Sequence, residues 1–88
     1  MSKEKDLLRL VALHSKLRHY CDEVARVHKS RGRDYYGLAS WSQQELAERD
    51  KIRGQISDHR RTHDLTDDDD RRAADLAAEV HARKHIEQ

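Results

Sequence analysis

Residues 6–29 most constrain what this chain can become, because at 100° per residue their apolar side chains gather on one broad helical face. Leu10, Leu13, Leu17, Cys21, Val24 and His28 form the centre of that arc, with Leu7, Val11, His14, Tyr20, Ala25 and Val27 on its flanks. Past Arg9, the charged residues Lys16, Arg18, Asp22, Glu23, Arg26 and Lys29 fall outside the arc or at its margin. A face this wide needs partners on more than one side.

The rest of the chain has little to offer it. Of 88 residues, 40% are charged and 35% hydrophobic, with no Phe, one Trp and three Tyr, so the core is thin against the entropy of ordering. A helical chain of this kind completes its core by self-association or on a partner. The expectation is a homodimer that buries the face of Leu10, Leu13, Leu17, Cys21 and Val24. The absence of Pro and the presence of only three Gly favour long helices and argue against strands.

Three helices follow from periodicity and end signals, in one domain spanning residues 1–88. The first runs over about 4–30, with Ser2 or a neighbour as cap, Glu4 and Asp6 at its positive end and Lys29, Arg31 and Arg33 past its negative end. A loop over 31–40 is broken by Gly32 and Gly37. The second helix spans about 42–63. Ser42, with Glu45 three residues on, spells a capping box, and Trp41 stands where a staple residue would. Ile52, Ile56, His59 and His63 extend one narrow face. After an acidic turn over 64–70, Thr66 or Asp67 caps a third helix over about 67–86, with Ala73, Leu76, Ala77 and Val80 as a modest stripe. The fold class is all-α: an antiparallel helical hairpin with a third helix folded back along it or reaching to another copy.

Counting Lys and Arg against Asp and Glu gives +4 for residues 1–40, 0 for 41–65 and −3 for 66–88, which together make the net +1. Near-neutrality speaks against nucleic acid as the default ligand. Cys21 is alone, so no intramolecular disulfide forms, and its place in the arc makes it a small buried hydrophobe. A reducing, cytoplasmic setting fits. No apolar run is long enough for a membrane span, and residues 1–9 lack the apolar core of a signal peptide.

Seven histidines are the oddest feature of the composition. His59/His63 and His81/His85 each have the i, i+4 spacing that brings two imidazoles to one face, as helical zinc sites require. A hairpin about Tyr35 would set His14 near His59, and a second reversal near Leu65 would return His81 and His85 toward His28. Clusters of His14/His59/His63 and of His28/His81/His85 would result. With neither an HExxH motif nor paired cysteines, the expectation is nonetheless seam and surface histidines, with no metal and no cofactor. An intermediate reading is a pH-sensitive seam, in which charging histidines on an apolar face weakens the packing.

The loop with Arg31, Arg33, Tyr35, Tyr36 and the neighbouring Trp41 combines side chains enriched at binding hot spots. It is the expected contact surface for a protein partner, with Asp67, Asp68, Asp69 and Asp70 as a second contact to a basic surface. The alternative is nucleic-acid binding through Lys29, Arg31, Arg33, Arg60 and Arg61. No nucleophile with a base, no pair of carboxylates in an apolar setting and no phosphate-cradling loop is present in the sequence, so catalytic residues are not expected.

The stretch VARVHKSRG at the end of a long first helix, followed by a second helix, loosely resembles the layout of the small all-helical chorismate mutases. That resemblance implies substrate-binding cations at Lys29 and at Arg18 or Arg26. It also implies an Arg-Glu pair at the start of the second helix, where Gln44-Glu45 stands instead. The reading that follows from the residues is a small non-enzymatic adaptor, regulator or inhibitor that occupies a surface on a larger protein or nucleoprotein, as bacterial and phage accessory factors do.

Overall fold

A computed structural model describes residues 3–32 and 34–86, with side chains as far as Arg83. The described residues form α1 (Lys3–Ser30), a short 3₁₀ turn (Gly37–Ser40), α2 (Gln43–Thr62) and α3 (Asp67–Ile86), with no strand among them. The all-α, three-helix architecture expected from the sequence is the one present. A cap at Ser2 lies outside the described residues.

The helix ends show why the elements stop and start where they do. α1 closes on Arg31 N–H to the His28 carbonyl and Gly32 N–H to the Lys29 carbonyl. Gly32 takes φ +71°, a conformation that costs a residue without Cβ little. At the start of α2, Ser42 Oγ accepts from Glu45 N–H at 3.1 Å while the Glu45 carboxylate accepts from Ser42 N–H at 2.8 Å. The capping box read from the sequence is therefore formed. α2 ends with Leu65 N–H on the Arg60 carbonyl and Asp64 N–H on the Arg61 carbonyl, around Asp64 at φ +53°. That is a Schellman closure with Asp where Gly is commonest, and it points Leu65 inward. Thr66 and Asp69 then repeat the reciprocal cap at the head of α3, at 3.0 and 3.1 Å.

α1 is the axis on which both other helices pack. α2 lies antiparallel to it, since His28 meets Glu45 at one end and His59 meets the Asp6 carbonyl at the other. α3 runs in the same sense as α1, from Asp70 beside His14 to His81 beside Asp22. Those two partners lie roughly 80° apart around α1 at 100° per residue, so α3 crosses α1 obliquely. The chain measures 49 × 32 × 16 Å, which leaves room for about two helix layers.

Leu10, Leu13, Ile56, Leu65 and Ala73 make the core cluster, with Leu7, Val11 and Leu17 packed against it. Ala73 and Ala77 are fully buried, and their small side chains are what let α3 come close to α1. Leu10, Leu13 and Val24, assigned from sequence to a dimer face, are buried within one chain, while Leu17 and Cys21 are half-buried. The third helix packs over the Leu10 and Leu13 part of the stripe that a second copy was expected to cover. Burial also pushes the Cys21 thiol up, as suits a small apolar residue rather than a reactive one. No helix among the described residues is long and apolar enough to cross a membrane.

Candidate functional site

The loop between α1 and α2 closes the far end of the hairpin. There, Trp41 is only 7% exposed. Its indole N–H donates to the Tyr35 hydroxyl at 3.0 Å, and its ring meets Tyr20 edge-on at 6.0 Å between centroids. Tyr35 in turn stacks on His28 at 6.1 Å, beneath the Lys29 ammonium at 5.5 Å. The expected hot-spot residues Trp41 and Tyr35 thus hold the loop onto α1 rather than face outward.

What they hold up is exposed. Gly37, at φ +65°, turns the chain into the short 3₁₀ segment, and Tyr36 N–H donates to Ser40 Oγ at 2.8 Å. Tyr36 and Leu38 are left 71% and 46% exposed on this ordered turn. Arg31 is exposed too, and Arg33 lies outside the described residues. Beside the turn is a cleft of about 610 Å³ whose lining includes Tyr20, His28, Arg31, Trp41, Glu45 and Glu48.

Glu45 organises the electrostatics of this end. Its carboxylate takes the Ser42 amide and faces His28 Nε2 at 2.9 Å. The amide bond first, and the His28 contact second, hold its carboxyl below the ordinary glutamate range. Tyr20 is pushed the other way, by burial first and by Glu45 and Glu48 after it. Its hydroxyl therefore stays protonated and points at the Glu45 carbonyl, 3.5 Å away. With Ser42 occupied by the cap, the cleft offers aromatic faces and hydrogen-bonding groups, a surface suited to recognition.

The acidic run is mostly consumed by the fold. Asp69 is buried, caps α3 with Thr66 and pairs with Lys3 at 3.1 Å; the Thr66 amide first and Lys3 second lower its carboxyl. Asp70 binds His14 at 2.7 Å, and Asp67 binds Arg60 at 2.5 Å. Only the exposure of Asp67 and Asp68 is what a contact surface requires. Arg60 is engaged with Asp67, and Arg61 pairs with Asp58, so neither stands in an open basic patch. Of the cations that a chorismate mutase layout would bring together, Arg26 pairs with Glu23 and Lys29 sits over Tyr35.

The expected histidine clusters are not assembled. His14 faces Asp70 on α3 instead of His59, His28 faces Glu45, and His81 faces Asp22. The side chain of His85 lies outside the described residues. Each of these three seam histidines thus meets a carboxylate rather than another histidine. The sequence reading also missed Asp6. Among the described residues, one trio of metal-capable groups comes together, Asp6, His59 and His63, and Asp6 enters it only through the register of α1 against α2. Compared with protein-family models, with curated proteins and with solved structures, the chain matches none.

Proposed function

We propose that the chain is a small non-enzymatic interaction protein, an adaptor, regulator or inhibitor, which docks the tip of its hairpin on a larger protein or nucleoprotein. The observation that carries this reading is the contrast at the tip. A framework of buried Trp41 with half-buried Tyr35 and Tyr20 holds Tyr36 and Leu38 outward on an ordered turn, with Arg31 lining the adjoining cleft. Exposed aromatic and aliphatic side chains on a rigid support lose little entropy on binding, which is what makes them good anchors. Paired Arg60 and Arg61 favour a protein surface over a phosphate backbone as the ligand.

Photo-crosslinking from position 36 in cells of the source, followed by mass spectrometry, tests the reading. A single protein captured from position 36, and lost on Leu38→Ser, supports it. Equal capture from an exposed position on the far side, such as Arg53, or binding to a DNA duplex that falls steeply with salt, would sink it.

Self-association is a second proposal, moved by the buried stripe to Leu76 and Val80, which stand exposed one turn apart on α3. Native mass spectrometry decides it. A dimer that Leu76→Asp reduces to one chain supports it, and a single chain at micromolar concentration ends it.

A further inference from the structure

We infer that Asp6, His59 and His63 form a binding site for a borderline divalent transition cation, of which zinc fits the donor set best. His59 and His63 lie one turn apart at the end of α2, with ring centroids 4.5 Å apart. Asp6 comes from the first turn of α1, and its Oδ1 is 3.3 Å from His63 Nδ1. That separation is about the edge of a tetrahedron with metal bonds of about 2.0–2.1 Å. One donor atom from each of the three residues lies within 4.8 Å of the other two.

The surroundings favour a cation. His59 Nε2 donates to the Asp6 backbone carbonyl at 2.8 Å, which orients the ring and puts its lone pair on Nδ1. A ligating histidine is commonly held in this way by its other nitrogen. Several positive side chains of the same turns are engaged elsewhere: Lys3 with Asp69, Arg60 with Asp67 and Arg61 with Asp58. The negative end of the α2 dipole faces the site. Asp6 and His59 are half-buried and His63 is exposed, so an ion can enter and a water can complete four-coordination. Two imidazoles with one carboxylate suit zinc and its neighbours and disfavour magnesium and calcium, which take oxygen ligands. Bound there, the ion clips the first turn of α1 to the last turn of α2.

The test takes the full chain without any affinity tag, titrates it with zinc chloride by calorimetry, and reads stoichiometry by native mass spectrometry and stability by thermal unfolding. One zinc per chain and a raised melting temperature are expected. His63→Ala and Asp6→Asn should each weaken binding by more than about tenfold, whereas His81→Ala should leave it unchanged. Asp6→Asn keeps the side-chain shape, and its circular dichroism without metal separates lost binding from lost folding. Binding that survives both substitutions, that disappears with His81→Ala, or that does not saturate below about 1 mM zinc overturns the assignment.

Discussion

The two ends of the α1–α2 hairpin carry the same kind of polar clasp and differ in what lies beneath it. At the tip, His28 on α1 meets Glu45 on α2; at the base, Asp6 on α1 meets His63 on α2. The base rests on a cluster drawn from all three helices and their turn: Leu10, Leu13, Ile56, Leu65 and Ala73. The tip rests on Trp41, Tyr35 and Tyr20. A three-sided apolar core resists loss because every side chain has neighbours on several faces, whereas a one-sided aromatic cluster can open without unfolding the rest. The base holds the fold together, and the tip is the end for which a contact role is proposed.

The largest effect should come from emptying the base. Leu10→Ala leaves a cavity where α1, α2 and α3 meet and should cost about 4 kcal/mol, a large share of what a domain this small has to lose. Urea unfolding followed by circular dichroism measures it. Trp41→Ala should cost about 3 kcal/mol or less, and locally: hydrogen exchange should quicken over 43–47 and stay slow over 70–77. Uniform loss of protection would mean that the tip is as much a part of the core as the base.

Ser42→Ala removes one half of the α2 capping box and should cost about 1 kcal/mol; Thr66→Ala does the same for α3. If the two ends differ as argued, the first change alters Trp41 fluorescence and the second leaves it unchanged. Acid provides a graded comparison. The carboxyls of Glu45 at the tip and Asp69 at the base are both lowered in the fold. Each therefore contributes stability that is fully present above its unfolded pKa and is lost as pH falls through its folded one. Trp41 fluorescence should report the tip's share of that loss, and Glu45→Gln should remove it while leaving the acid transition of the base. Least disturbing is Tyr36→Ala, expected to change stability by no more than about 0.5 kcal/mol while weakening partner binding at the tip at least about tenfold. A large stability loss instead would place Tyr36 in the supporting framework with Tyr35.

Local rules sufficed for the elements. The apolar arc of α1, the Ser42–Glu45 box, Gly32 past the end of the first helix and Thr66 ahead of the third are each encoded within a few residues, and each formed where the sequence placed it. The proposed contact surface was legible only in part. Trp41, Tyr35 and Asp69 carry the chemistry of binding residues, and whether such a side chain faces solvent or its own protein depends on neighbours far along the chain.

The sequence by itself determined three helices, their caps and the stripe that needed covering, because periodicity and end chemistry act over one or two turns. Tertiary structure decided the rest. It brought α3 over Leu10 and Leu13, through the close approach that Ala73 and Ala77 permit. It sent His14 to Asp70 and His81 to Asp22 instead of to other histidines, and it brought Asp6 to His59 and His63. Those pairings depend on helix register and crossing, which are set by packing summed over whole faces, and no short stretch of residues contains that sum.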